Sequence, residues 1–448
     1  MKRHLEKQLT EWKNSSLRAP LLLRGARQVG KSWLIEFFGR EHFDSLAIVN
    51  LEQRPEFRLC FETLIPKKII SSIELLIGSP IVIGKTLLFL DEIQECPQAI
   101  MSLRYFKEQM PQLHVIGAGS LLEFVLNDKD FSMPVGRVQF LHLRPLSFYE
   151  YLEACGRGSL CAHLRQVTIS SPPTEVIHGE LLKLLREYVA IGGMPAVISA
   201  YLQTESLYQC QNVQSDILST YRRDFGKYAK VIVHKNLALL FEKAPGLIGQ
   251  WFKYSKISQD VPSRDLKVAL QYLSHAGLVF QVYHTAAVGL PLLSTRNEAK
   301  FKLLFLDVGL AKRAALLDIG SLLREDILLI NQGALTEQFV GQELLAYSDS
   351  KMEEQLYFWV REARGSSAEV DYVIPMGNLI VPIEVKSGTS GRLKSLKLFM
   401  EEKQSLLGIH LSTNPLGRYG NVISVPLYMV AEIPRLVNES LRAEQPDA

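Results

Sequence analysis

The sequence predicts an α/β protein built around a parallel sheet, and three observations carry that prediction. A Gly-rich loop at residues 25–32 lies between an apolar run, Leu21-Leu22-Leu23, and a helical pattern, Trp33-Leu34-Ile35-Glu36-Phe37-Phe38. From about Pro20 to Leu143 strand-like and helical stretches alternate, as in a parallel sheet covered on both faces. Two further strand-like runs, Glu369–Ile374 and Leu379–Lys386, flank a short Gly-containing turn near the C-terminus.

Composition sets bounds on what the chain can be. The 448 residues are 47% hydrophobic, enough for about two to four domains with well-filled cores. The 50 basic and 47 acidic residues leave a formal charge of +3, so any nucleic-acid contact has to come from a local patch. The chain starts Met1-Lys2-Arg3-His4-Leu5-Glu6-Lys7 with no apolar leader behind it, and its apolar stretches break well short of the ~20 residues a membrane span needs. The cysteines at 60, 96, 155, 161 and 210 are odd in number and form no Cys-x-x-Cys pair, which suits reduced thiols. The expectation is a cytoplasmic protein without a membrane partner.

The first chemical element reads Gly25-Ala26-Arg27-Gln28-Val29-Gly30-Lys31-Ser32, a complete phosphate-binding motif. Its two glycines let the backbone curl so that successive N–H groups point at phosphate oxygens. Lys31 brings a positive charge to the β- and γ-phosphates, the Ser32 hydroxyl is a ligand for Mg²⁺, and the helix that opens here adds its positive end. Next come a strand at Ala47–Asn50 and a periodic helix from Ile69 to Ile77. Leu87-Leu88-Phe89-Leu90 then reads as a buried parallel strand ending in Asp91 and Glu92. Asp91 is placed to hold Mg²⁺ through water and Glu92 to polarise an attacking water, and this second carboxylate argues for hydrolysis. A further strand at His114–Gly117 runs into Gly119-Ser120, where Ser120 is a candidate sensor of the γ-phosphate.

Taken in order, these motifs resemble the AAA superfamily of ATPases. The likeness extends through Val135-Gly136-Arg137-Val138, Leu143-Arg144-Pro145-Leu146-Ser147-Phe148-Tyr149-Glu150-Tyr151-Leu152 and Gly192-Gly193-Met194-Pro195. Those strings are similar to a widespread prokaryotic family of AAA-type ATPases whose C-terminal region is incompletely understood. The resemblance implies ATP and Mg²⁺ as ligands, a P-loop core over residues 1–146, and a helical lid over 147–253 interrupted by the loop Ser170–Thr174. It also implies a homo-oligomer in which an arginine completes a neighbour's site; Arg137 is the leading candidate, ahead of Arg222 and Arg223.

Residues 254–295 carry a different pattern. A turn, a helix capped by Ser263 with apolar positions Leu266, Ala269, Leu270 and Leu273, a break at Gly277 and a strand-like Leu278–Tyr283 together look like a winged helix. Such a module places Arg264 and Lys267 near DNA; a spacer or protein-docking surface is the competing reading.

The last region, 296–437, holds a sharper constellation. If Gly377-Asn378 is a two-residue hairpin loop, Asp371 stands opposite Glu384, and strand alternation puts Lys386 on the same face; a one-residue slip would send Asp371 to the other side. Charges converging on one face of an apolar hairpin are costly unless they bind something. Two carboxylates and a lysine suit a divalent metal and an activated water. The pattern resembles the PD-(D/E)xK nuclease core, a restriction-endonuclease-like α/β domain. Asp371, Glu384 and Lys386 would be its catalytic set and Asp371 and Glu384 its metal ligands, with Glu337 on an amphipathic helix at Gly333–Leu344 as a further acidic ligand. Val370 stands where that family has proline, and a structural bridge from Glu369 or Asp371 to Lys386 on a relic fold is the competing reading.

The remaining features have plain assignments. Trp251, Phe252, Tyr221 and Tyr228 read as helical core or interface, Lys300–Asp307 as a buried strand with a turn-forming aspartate, and 438–448 as a frayed polar tail. Two functions follow. One is an ATP hydrolase coupled to DNA binding or processing through the nuclease-like domain. The other is a nucleotide-switched regulator that binds DNA or a protein partner through an inactive nuclease-like fold. A small-molecule phosphotransferase would leave the C-terminal constellation unused.

Overall fold

The computed structural model describes residues 1–120, 122, 136–228, 231–316, 333–352, 355–362, 368–388 and 393–444. It divides into two compact units. The first comprises Met1–Arg144 with the short segments His275–Leu278 and Asp349–Glu353; the second takes the rest of the chain.

In the first unit, strands β1 (Leu21–Arg24), β2 (Ser45–Asn50), β3 (Thr86–Asp91), β4 (His114–Ala118) and β5 (Gln139–His142) form a five-stranded sheet in the order β2-β3-β4-β1-β5. All four pairings are parallel. Strands β3 and β4 are buried along their whole length, which is why they read as unbroken apolar runs. The helices obey their sequence signals. Helix Pro66–Ile77 opens on a proline, buries Ile69, Ile70 and Ile73, and ends at Gly78, whose φ of 71° is accessible at no steric cost without a side chain. Those isoleucines pack with Leu88, Leu90, Val115, Ile100 and Phe106 in one core layer.

In the second unit, helices Phe148–Ala154, Gly158–Leu164, Glu175–Ile191, Pro195–Thr204 and Leu207–Tyr228 precede an eight-stranded mixed sheet. Its strands are β6 (Val279–Thr285), β7 (Arg296–Phe305), β8 (Leu356–Val360), β9 (Glu369–Met376), β10 (Leu379–Val385), β11 (Gly408–Ser412), β12 (Gly417–Tyr419) and β13 (Val422–Pro426), ordered β12-β13-β11-β10-β9-β8-β6-β7. The β9–β10 hairpin turns at Gly377-Asn378 with Ile383 opposite Tyr372, the register that the turn predicts.

Several expectations change. The hairpin assigned to a winged helix is not a separate wing: β6 pairs antiparallel with β7 and parallel with β8, so both strands belong to the large sheet and the boundary at 295/296 falls inside the hairpin. A strand with unpaired N–H and C=O groups gains more from a ladder partner than from standing alone. Second, the segment expected to be a lid shares one compact unit with the C-terminal sheet. Third, helix Ala334–Ala346 is not amphipathic; Thr336, Gln338, Phe339, Val340, Gln342, Glu343 and Leu345 are buried on all sides of it. Finally, the tail is helical from Ile433 to Glu444, with Ser440 buried.

The polar residues of helix Ala334–Ala346 each have an assignment. Gln338 accepts from the Phe305 N–H and donates to its carbonyl, both at 2.8 Å, and so supplies an edge residue of β7 with the ladder partner it lacks. Gln342 accepts from Val308 N at 2.7 Å and donates to the Tyr188 hydroxyl at 2.8 Å. Glu343 accepts from Phe148 N at 3.1 Å, at the start of helix Phe148–Ala154. Asp307 proves to be more than a turn former: fully buried, it caps helix Val308–Ala314 through Leu310 N at 2.9 Å and accepts from Gly193 N at 2.6 Å. Trp251 and Phe252 lie outside helices, bridged to Lys302 and stacked on Phe301 respectively.

Candidate functional site

The phosphate-loop residues occupy the C-terminal edge of the first sheet, where ligands of open parallel sheets bind. β1 ends at Arg24, the loop follows, and helix Lys31–His42 starts at once. Gly25 has φ 142°, and a Cβ there would stand 2.3 Å from the Leu143 carbonyl oxygen beyond β5. The loop is thus pressed against its neighbour so closely that only glycine fits. Gln28 (φ 66°) and Gly30 (φ 96°) complete the curl that turns the backbone N–H groups inward.

Lys31 is buried, and its ammonium donates to the loop's own carbonyls, Gly25 O at 2.9 Å and Ala26 O at 2.8 Å. Burial draws it down to about 8, against the pull of Glu92 and Asp91. Ser32 Oγ donates to Asp91 Oδ1 at 3.0 Å, and Asn50 Nδ2 donates to Asp91 Oδ2 at 3.1 Å. Burial raises Asp91 above the usual carboxylate range, opposed by the Ser32 bond. The adjoining Ser32 hydroxyl and Asp91 carboxylate are hard oxygen donors of the kind Mg²⁺ takes while keeping waters for its other positions.

Glu92 follows Asp91 with φ 48°, a left-handed conformation that a β-strand end does not require of a glutamate. Its Oε2 accepts from Gln94 Nε2 at 2.7 Å. The carboxylate next to Asp91 is therefore aimed by backbone strain and a side-chain bond together. Ser120 is buried two residues past β4, the strand between β1 and β3. Arg137 is 49% exposed and donates to Glu108 Oε1 at 3.1 Å, an exposed ion pair. Arg222 and Arg223 are also exposed.

Sequence reasoning missed Arg3. Buried, it donates to Val29 O at 2.9 Å and Arg144 O at 2.6 Å, bracing the loop against the segment that follows β5. Nothing in a charged N-terminal string marks that role.

The second unit gathers the C-terminal charges. Asp371 Oδ2 accepts from Val385 N at 2.8 Å, and Lys386 Nζ bonds Glu384 Oε1 at 2.5 Å. Glu337, Asp371 and Lys386 line a cavity of about 760 Å³ together with Gly249, Gly333 and Ser387. The unexpected member is Lys302, on β7 and only 2% exposed in its side chain. Its ammonium bonds Glu337 Oε1 at 2.8 Å and Glu369, lies 3.9 Å from Asp371 Oδ1, and sits 5.3 Å from the Phe358 ring centre. Trp251 Nε1 holds the other oxygen of Glu369 at 2.9 Å. Burial lowers Lys302, yet Glu337, Asp371 and Glu369 outweigh it and keep the ammonium charged. Burial also raises Glu337, Asp371 and Glu384 above the usual carboxylate range.

Of the three acids expected to share a metal, Glu337 is paired with Lys302. Among the described residues, no three His, Cys, Asp or Glu side chains stand where they could hold a metal ion. Nor, among those residues, is any helix long and apolar enough to cross a membrane.

Residues 17–152 match a family model described as an AAA domain. Two domains of unknown function also match, DUF8612 over residues 182–322 and DUF4143 over 332–428. No curated protein matches the chain. Among solved structures, the Aeropyrum pernix ORC1 protein in complex with DNA is similar at 12% identity and a TM-score of 0.32, over 70% of this chain and 93% of that one. The Thermotoga maritima RuvB Holliday junction branch migration motor is similar at 16% identity and a TM-score of 0.29, over 62% and 88%. AMPPCP-bound DnaA from Aquifex aeolicus is similar at 12% and 0.27, over 60% and 86%. These likenesses are loose. The AAA family match, the parallel sheet and the phosphate loop together make the N-terminal part of the chain an AAA-type P-loop domain.

Proposed function

We propose that this AAA-type protein binds ATP with Mg²⁺ at residues 25–32 and hydrolyses it, and that the second unit couples turnover to DNA binding or processing. The observation that carries the hydrolase reading is the sequence of side chains at the end of β3: Asp91 bonded to Ser32, followed by Glu92 in a left-handed conformation beside Gln94. The loop N–H groups and Lys31 bind and orient the phosphates, Glu92 positions the attacking water, and Ser120 is a sensor of the γ-phosphate. Mg²⁺, held through Ser32 and Asp91, supplies charge neutralisation to the phosphates when bound. Arg137 is available at the surface to a neighbouring subunit once it leaves Glu108.

ATP turnover by wild type, Lys31→Ala and Glu92→Gln, with and without DNA, tests this reading. Lys31→Ala should abolish turnover, Glu92→Gln should keep binding while slowing hydrolysis by about 10²-fold or more, and DNA should stimulate the wild type. Unchanged turnover in Lys31→Ala would sink the site assignment.

A second reading, a nucleotide-switched regulator that binds DNA or a protein partner through an inactive nuclease-like fold, is favoured by Lys302. An ammonium already pairs with the acid that a metal centre would need. A divalent ion bound by Glu337, Asp371 and Glu384 does not fit these residues, and no step is assigned to one.

A further inference from the structure

The acidic cluster of the second unit holds more charge than the hairpin motif alone supplies. Four carboxylates, Glu337, Glu369, Asp371 and Glu384, meet two ammonium groups, Lys302 and Lys386. Lys386 serves Glu384. Lys302 serves the other three, and its surroundings fix it there. Its backbone bridges to Trp251, its ammonium lies over the face of Phe358, and Trp251 Nε1 pins Glu369 against it. With 2% of its side chain exposed, Lys302 cannot swing to solvent to make way for another cation without unpacking Trp251 and Phe358.

We infer that the Lys302 ammonium is the resident cation of this cluster, standing where a divalent ion would have to meet Glu337 and Asp371. The unit thereby keeps a nuclease-like set of acids folded together without a metal, and loss of the lysine converts the cluster into a divalent-cation site. The inference rests on the second reading above and deepens it by naming the residue responsible.

Glu384 is held instead by Lys386 through Oε1, while its Oε2 is buried without a partner. Removal of Lys302 would leave Glu337, Glu369 and Asp371 with like charges and nothing between them, the condition that a hard divalent ion relieves.

The test is a Mn²⁺ titration followed by electron paramagnetic resonance. It uses the full chain, nucleotide-free, in an Asp91→Asn background that removes the phosphate-loop metal ligand. The parent should bind no stoichiometric Mn²⁺. Lys302→Met should gain one Mn²⁺ per chain, lost again on adding Asp371→Asn, whereas Lys302→Arg, which keeps the charge, should gain none. An Asp371-dependent Mn²⁺ site in the parent would overturn the inference, as would Asp371-dependent DNA nicking by the parent with Mn²⁺. A folded Lys302→Met variant that binds no Mn²⁺ would overturn it equally. Should Lys302→Met fail to fold, the parent's melting temperature decides: indifference to Mn²⁺ supports the inference, and an Asp371-dependent rise defeats it. ATP turnover in Lys302→Met with Asp91 restored reads the phosphate loop separately, so failure of one site is distinguishable from failure of the other.

Discussion

ATP affinity should fall as pH rises through the titration of Lys31. Burial draws this ammonium from the usual 10.5 down to about 8, although Glu92 and Asp91 pull the other way. Only the charged form pairs with phosphate, and bound phosphates restore its higher pKa. The favourable term is therefore complete below about pH 8 and is lost progressively above it. If the bound group titrates at or above its ordinary value, apparent affinity should drop roughly thirtyfold between about pH 7 and pH 9.5, or ~2 kcal/mol. The folding contribution has the opposite sign. A lysine whose pKa is lowered in the folded state opposes folding below about pH 8, and that opposition fades as pH climbs toward 10.5. Equilibrium binding of a fluorescent ATP analogue across this range, in buffers of differing ionisation enthalpy, measures both affinity and protons taken up. Lys31→Arg is the control, because a guanidinium stays charged throughout and should give a flat profile. Wild-type affinity that is flat over the window, or a parallel fall in Lys31→Arg, would refute the reasoning.

Three further substitutions probe the fold around both regions. Gly25→Ala places a Cβ 2.3 Å from Leu143 O at a φ of 142°; a strain of ~1–3 kcal/mol is expected, with loss of ATP binding, and normal binding would contradict the close approach. Asp307→Ala leaves the Gly193 and Leu310 N–H groups unpaired in the interior; denaturant unfolding should show a loss of roughly 2–5 kcal/mol, and a loss below ~1 kcal/mol would count against its capping role. Glu343 is raised from 4.5 to about 8, chiefly by burial, so its ionisation opposes folding. Wild-type stability should then decline between about pH 4.5 and pH 8 by up to ~5 kcal/mol. Glu343→Gln should flatten that decline, and identical pH profiles for the two proteins would defeat the assignment.

The parts of the molecule that could be read from sequence are those whose information is local. The phosphate loop is a contiguous string whose glycines and Lys-Ser pair have one purpose, and β3 announces itself as an apolar run ending in Asp91-Glu92. The β9–β10 register was legible because a two-residue Gly-Asn turn leaves a single pairing. What escaped is nonlocal. Lys302 sits in an alternation that reads as an ordinary strand, and only the order β9-β8-β6-β7 brings it to Glu369. The same order absorbed a hairpin that short-range signals assign to a wing. Arg3 and Asp307 are polar residues whose partners are backbone atoms far along the chain, and no side-chain pattern marks a backbone partner. Helix Ala334–Ala346 misled for a related reason: Gln338, Gln342 and Glu343 look solvent-facing by residue type, yet each is satisfied inside.

That helix also decides how the second unit can come apart. Its polar side chains bond in turn to β7, to the start of helix Val308–Ala314, to Tyr188 and to Phe148, elements that precede it by up to nearly half the chain. A break at 253 or at 295 would part the helix from Tyr188 and Phe148, and the second break would also strip β6 from between β7 and β8. The second unit should therefore unfold as one cooperative block despite its mixed composition, in a single thermal step where a string of modules would melt piecemeal.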